Sequence, residues 1–301
     1  MTLGQCQSIA PLRPKPTKVL VLGSTGMVGR SWIEHLKKLQ IRCEGVSRPE
    51  FDLMRKESIV RCVGQGYDLV INAAAWTDVD GAESDEPGAH RANAEALNEI
   101  GSRCYELDIP LISYSTDYVF SGCSDVPYPV DASIEPINAY GRSKALGEAH
   151  LARSDVDHIM IRTSWVYAPW GTNFVRTIQS LAQSRSNLRV VNDQRGRPTS
   201  AQQLAKGSLD LYLNGARGTW HLSDEGECTW FELAREIVRI SELDCKVEPC
   251  SSDEYLKPAA RPAYSVLDIQ ETVNLIGPIG DWRLHVQDAL EQMKAKSITN
   301  G

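Results

Sequence analysis

The feature that most constrains this 301-residue chain is a four-residue apolar run, Val19-Leu20-Val21-Leu22, that ends on a glycine-rich turn. The turn reads Gly23-Ser24-Thr25-Gly26-Met27-Val28-Gly29, and an amphipathic stretch to about Gln40 follows it. An unbroken apolar run suits a strand covered on both faces, because a strand with one wet face would alternate. Glycines at these positions let the backbone turn tightly, approach a pyrophosphate and pack helix on strand. Strand, turn and helix in that order commit the chain to parallel strands joined by right-handed crossovers.

The same pattern recurs. Leu69-Val70-Ile71, Leu111-Ile112 and Ile159-Met160-Ile161 are further buried-strand runs, each separated by helical stretches. The second half is less regular, with strand-like runs at Val190-Val191 and at Thr219-Trp220-His221-Leu222. Thr229-Trp230-Phe231-Glu232 has capping-box spacing and predicts a helix to about Ile240. Pro249, Pro258, Pro262 and Pro278 then break the C-terminal region into short elements. The expected fold class is α/β: a Rossmann-type doubly wound parallel sheet with a smaller, interleaved C-terminal substrate lobe. The expected bounds are a flexible N-terminal arm over 1–17 and a dinucleotide-binding domain over 18–168, to which 188–222 returns. The lobe is expected over 169–187 and 223–301.

Composition excludes several classes. A formal charge of −7 and a pI near 5.5 argue against a general nucleic-acid or anionic-membrane binder. No apolar run approaches the roughly 20 residues that span a bilayer. The first 17 residues hold no continuous apolar stretch of the kind a signal peptide needs, so the expected location is cytoplasmic. The eight cysteines form no C-x-x-C and no zinc-ligand spacing with histidine, so reduced structural thiols and no metal are expected. All six histidines read as structural.

The second strand, over 41–46, ends in Ser47-Arg48 with no acidic residue at its tip. Asp or Glu there would bond a ribose 2′-hydroxyl, whereas Ser and Arg can hold a 2′-phosphate. NADPH is therefore favoured, with NADH left open. Asp52, beside Leu53, is expected at the adenine edge, with an N-cap as the alternative. Asn72-Ala73-Ala74-Ala75 ends the next buried strand, and small residues at a carboxyl end let a dinucleotide lie close. Tyr140 and Lys144 stand four apart on one face of a helix expected from about Asn138. A nearby ammonium and an oxidised nicotinamide would lower the tyrosine pKa toward useful acid–base chemistry. Thr116, at a strand end in Ser113-Tyr114-Ser115-Thr116-Asp117-Tyr118, can polarise a substrate carbonyl.

These segments resemble an extended short-chain dehydrogenase of the dTDP-4-dehydrorhamnose reductase family, from Lys18 to about Met293. The GxxGxxG turn, NAAAWTDVDGAE from Asn72, STDYVF from Ser115, YGRSKALGE from Tyr140, RTSWVYA from Arg162 and ARPAYSVLD from Ala260 carry the likeness. The resemblance implies NADPH-dependent reduction of the 4-keto group of a dTDP-6-deoxyhexose to give dTDP-L-rhamnose. Tyr140 would give the proton, Lys144 would hold the nicotinamide ribose, and Thr116 and Asp117 would contact the sugar beside Tyr118. Gly26, Met27 and Val28, in the Gly23-to-Gly29 turn with Thr25, would meet the pyrophosphate. Ala74, Ala75 and Trp76 would lie along the nicotinamide, and Trp165 would pack on the substrate, with core filling as its alternative. Trp76 stands where relatives often carry histidine. The nucleotide-sugar diphosphate needs cations, and Arg195, Arg197 and Arg261 are the candidates. A sister reductase, an epimerase using the same triad, and a non-catalytic regulatory subunit are the alternatives. The resemblance leaves a homodimer open.

Overall fold

A computed structural model describes residues 7–299. Strands β1 (Ser8–Ile9), β2 (Lys18–Leu22), β3 (Arg42–Val46), β4 (Leu69–Asn72), β5 (Leu111–Thr116) and β6 (His158–Thr163) are interspersed with helices α1 (Met27–Lys38), α2 (Lys56–Cys62), α3 (Val79–Ser84), α4 (Glu86–His90), α5 (Ala96–Glu106) and α6 (Ala139–Ala152). Next come β7 (Val166–Tyr167), α7 (Phe174–Ser184), β8 (Asn187–Val191), β9 (Arg195–Gly196), β10 (Thr199–Ser200), α8 (Ala201–Leu213) and β11 (Ala216–His221). The chain continues through β12 (Cys228–Thr229), α9 (Trp230–Ile240), β13 (Lys246–Cys250), α10 (Gln270–Ile276) and α11 (Trp282–Thr299).

The apolar run of β2 explains the central layer. Val19 and Val21 join Trp32 and Leu36 of α1 on one face, while Leu20 and Leu22 join Ile59 and Ile100 on the other. Both faces of the strand are therefore covered, as a Rossmann-like α/β fold requires. The seven-stranded sheet has the order β1-β11-β6-β5-β4-β2-β3. Its pairs are parallel except β1 with β11. Because β3 and β4 flank β2 on opposite sides, a crevice opens at the carboxyl end of β2, where open sheets bind ligands.

A separate lobe packs around Ile178, Leu188, Val190, Leu233, Ile237 and Trp282. Here α9 begins at the capping box expected from sequence, with Thr229 and Glu232 bonding reciprocally. Two boundary expectations need correction. Within 188–222, β11 pairs with β6 in the main sheet, but β8 pairs with β13 in the lobe. The reason is one-sided burial: Leu188 and Val190 point to the lobe core while Asn187 and Arg189 stay exposed, a pattern unsuited to a strand covered on both faces. The N-terminal arm is not loose from residue 7 onward. Ser8 and Ile9 pair with Arg217 and Ala216, Arg13 meets Asp157 at 2.8 Å, and Thr17 bonds Asp68 at 2.6 Å. An uncovered β11 edge would present unpaired backbone groups, and the arm supplies their partners. Residues 1–6, with Cys6, lie outside the described residues; the other seven cysteines are free thiols. Among the described residues no helix is long and apolar enough to cross a membrane.

Candidate active site

The glycine turn is shaped by backbone contact. Gly23 has φ +79°, and a Cβ there would stand 2.7 Å from the Ala74 nitrogen. A Cβ on Gly29 would stand 2.1 Å from the Gly23 carbonyl oxygen, so neither glycine can carry a side chain without backbone movement. Gly26 is the N-cap of α1 and supplies no side-chain cap, which leaves the first helical N–H groups for an anion. Its own Cβ position is open, with nothing closer than 3.4 Å. The residues present thus fit a dinucleotide pyrophosphate. Met27 and Val28 pack against the cluster of Ala168, Trp170 and Ala201, so their side chains serve packing while their backbone faces the turn.

At the tip of β3, Ser47 is engaged with the turn itself: its Oγ accepts from the Thr25 nitrogen and hydroxyl at 3.1 Å and lies 3.2 Å from the Ser24 Oγ. Arg48 is exposed beside it. Asp52 accepts from the Met54 nitrogen at 3.0 Å in a local turn and caps no helix, since α2 starts after Arg55 with no side-chain cap, and Leu53 packs into the core beneath it. At the end of β4, Ala74 and Ala75 are half-buried. Trp76 is clamped by Asn93, whose Oδ1 accepts from the Trp76 nitrogen at 2.9 Å and whose amide donates to the Trp76 carbonyl at 3.1 Å. The same amide donates to the Ser143 hydroxyl at 2.9 Å, tying β4 to α6. Sequence reasoning missed Asn93, because a lone asparagine in a helical stretch carries no pattern.

The acid–base groups meet at the start of α6. Asn138 caps that helix through Gly141, at 2.7 Å, and places Tyr140 and Lys144 on one face. Thr116 ends β5, accepts from the Tyr118 nitrogen at 3.2 Å and donates to Asp117 at 3.0 Å. Tyr118 packs edge-on against Tyr140, with ring centroids 6.1 Å apart. Burial pushes the Tyr140 phenol above its ordinary pKa, outweighing the effect of the nearby Thr116 hydroxyl. The expected lowering by Lys144 does not operate here, since that ammonium donates to the Tyr114 carbonyl at 2.5 Å. Burial brings Lys144 down to about 8, with Glu148 opposing. Burial likewise lifts the Asp117 carboxyl to about 7, against hydrogen bonds from Ser265 and Thr116. Asp117 and Lys144 are thus both shifted toward neutral pKa, while the Tyr140 phenol stays protonated.

The expected substrate cations part company. Arg195 faces Glu227 at 3.4 Å and Glu232 at 3.6 Å. The Arg261 fork is bidentate on Asp80, at 2.6 and 2.9 Å, and also donates to the Ala259 carbonyl. Arg197 donates once, to the Gly226 carbonyl at 3.2 Å, and its buried Nε has no partner among the described residues. Trp165 is half-buried and stacked on Trp230, with centroids 3.5 Å apart and planes within 9°. Its backbone has φ +47°, and Gly196 lies against its indole edge. The lobe core therefore accounts for one face of that ring.

Comparison with known proteins identifies the family. The family described as RmlD substrate binding domain matches residues 17–295. The chain is 35% identical over 278 residues to the dTDP-4-dehydrorhamnose reductase of Mycolicibacterium smegmatis, covering 91% of this chain and 85% of that protein. It is 36% identical over 281 residues to the dTDP-4-keto-6-deoxy-D-glucose reductase of Streptomyces niveus, covering 92% and 97%. The crystal structure of a Bacillus anthracis dTDP-4-dehydrorhamnose reductase in complex with NADP superposes with a TM-score of 0.87 at 28% identity, covering 92% and 100%. The chain belongs to the dTDP-4-dehydrorhamnose reductase family of nucleotide-sugar reductases.

Proposed function

We infer that the protein is an NADPH-dependent reductase of the 4-keto group of dTDP-4-dehydro-L-rhamnose, giving dTDP-L-rhamnose. The observation that carries the reading is Thr116 at the carboxyl end of β5, with Tyr140 and buried Lys144 one turn apart on the same face of α6. Bound NADPH would supply a hydride to the sugar C4. Tyr140, held protonated by burial, would hand its phenolic proton to the C4 oxygen. Thr116 would hydrogen-bond the same oxygen as negative charge develops on it. Lys144 would turn from the Tyr114 carbonyl to a ribose hydroxyl and hold the phenolate that Tyr140 becomes. Asp117 and Tyr118 would meet the sugar, and the open Nε of Arg197 would take a diphosphate oxygen. Gly23, Thr25, Gly26, Met27, Val28 and Gly29 would form the cofactor turn, with Arg48 beyond Ser47 as the 2′-phosphate partner. The reading places this chemistry in the cytoplasm.

The test is incubation of the purified protein with dTDP-4-dehydro-L-rhamnose and NADPH, reading cofactor oxidation and identifying the product by NMR. Tyr140→Phe keeps the ring but removes the proton, and kcat should fall by about 100-fold or more with NADPH affinity intact. A variant that keeps a tenth of wild-type turnover removes Tyr140 from the mechanism. A second reading, a sister reductase making another 6-deoxyhexose, is favoured by the equal likeness to the Streptomyces niveus protein. Product stereochemistry separates the two, because the face of the sugar that meets the hydride is set by pocket shape and not by the triad.

A further inference from the structure

The Asp80–Arg261 pair joins parts of the chain 181 residues apart. Asp80 lies in the first turn of α3, and Arg261 lies in the segment over 259–264 that precedes α10. Besides the bidentate fork, the Ala259 nitrogen donates to Asp80 at 3.2 Å, so both ends of the turn around Ala260 are held by one carboxylate. The Asn138 amide, which caps α6, donates to the Ala260 carbonyl at 2.8 Å. On the other side, Glu83 of α3 accepts from the Ala139 nitrogen at 2.7 Å, and Glu86 of α4 takes Arg142 in a bidentate pair at 2.7 and 3.0 Å. The Asp80–Arg261 pair therefore closes a ring of contacts around the first turn of the helix that carries Tyr140. The Arg261 charge acts on the Tyr118 phenol, and Tyr118 packs edge-on against Tyr140. At 18% and 30% side-chain exposure, this pair is neither solvated nor fully desolvated. A bidentate fork in that setting gives directional restraint that a lone surface pair does not.

We propose that Asp80 is a positioning residue: it clasps Arg261, and through it sets the 259–264 segment and the Tyr118 ring against the Tyr140 site, so that the segment meets the nucleotide sugar in one arrangement. The inference rests on the reductase reading of that site. Arg261 then acts through its ion pair and not as a phosphate ligand.

Asp80→Asn preserves shape and removes the charge. In the full-length protein, KM for the nucleotide 4-keto sugar should rise about 10-fold, while kcat changes less and Kd for NADPH stays within about twofold. The exchanged pair, Asp80→Arg with Arg261→Asp, should recover much of the lost KM. If Arg261 instead binds the diphosphate, Asp80→Asn leaves KM unchanged or lowers it and the exchange recovers nothing; either result overturns the clasp. Should Asp80→Asn fail to fold, Arg261→Lys keeps the charge, loses the fork and should raise KM in the same direction; an unchanged KM there overturns the clasp. An arm without sugar is amide exchange: Ala259 should exchange at least about 10-fold faster in Asp80→Asn, with Ala139 unchanged. Unaltered Ala259 protection overturns the clasp, whereas wild-type protein that reduces no nucleotide 4-keto sugar overturns the reductase reading instead.

Discussion

The turn at 23–29 and the segment at 259–264 are two of the regions where the sequence suggests ligand phosphates, and they are built on opposite principles. In the turn, shape comes from the backbone: clearances too small for a Cβ at Gly23 and Gly29 and uncapped N–H groups at the start of α1. In the 259–264 segment, order comes from side-chain charges that find partners far away in sequence, Asp80 for Arg261 above all. A backbone-built site offers donors that have no competing partner, which suits an anion that must come and go. A charge-built segment has its cations already matched, so it gives orientation more readily than affinity.

The largest expected effect tests the backbone half of that contrast. Gly29→Ala puts a Cβ 2.1 Å from the Gly23 oxygen and 2.8 Å from the Ser24 Cα, both backbone atoms with no rotamer to yield. Overpacking of this kind costs about 1–3 kcal/mol of stability. Because the strain falls on the turn itself, NADPH affinity should drop by about 100-fold or more, measured by fluorescence titration. An alanine variant that binds cofactor normally would show that the turn is not shaped by contact.

This difference also decides what could be read from the sequence. The glycine turn, the both-faces-buried β2, the Thr229 capping box and the Asn138 start of α6 are local patterns whose physics needs only neighbouring residues. The stack of Trp165 on Trp230, the pairing of β8 with β13, the docking of residues 8–17 and the Asp80–Arg261 pair all join distant segments. No local pattern encodes them. Asp80 was the nearest to legible, since it stands as an unexplained acid within the segment that follows the cofactor-side strand. In the sequence Arg261 is an arginine beside a substrate motif, and its counter-charge, Asp80, comes from 181 residues away.

A middle-sized effect sharpens the contrast at the edge of the turn, where one exposed side chain is asked to select the cofactor. Arg48→Ala should weaken NADPH by about 1.5–3 kcal/mol, the range for a charged hydrogen bond, and leave NADH nearly unchanged. Dissociation constants for both cofactors check this. Equal losses would mean that Arg48 supports the turn, and a wild-type preference for NADH would remove the 2′-phosphate assignment.

The smallest effect concerns how the lobe is fastened. Asp224, just after β11, is fully buried and accepts from the Ser200 nitrogen at 2.9 Å, while His285 of α11 stands 3.1 Å from it. Burial alone would lower the His285 pKa, but the nearby Asp224 carboxyl, with Asp288 and Asp281, outweighs it and holds the imidazole above its ordinary value. Burial raises Asp224 as well, only partly offset by His285, Ser200 and Tyr167. In both cases the folded protein holds a proton more tightly than the unfolded chain. The native state then binds more protons in that range, so stability falls as pH rises. For His285 the contribution is complete below about pH 6.5, its unfolded value, and is lost as pH climbs through the raised folded value. Other histidines pull the other way: His35, His158 and His221 are held below their ordinary value by burial. The informative quantity is therefore the difference between wild type and His285→Gln, which keeps a hydrogen-bonding side chain but cannot titrate. Across pH 5–9 at fixed ionic strength, the Tm of wild type should lose its advantage over the variant by a few degrees, the size expected of about 1 kcal/mol in a chain this long. A difference in Tm that stays constant, or grows with pH, would show that the lobe is not fastened by a charged pair at this junction.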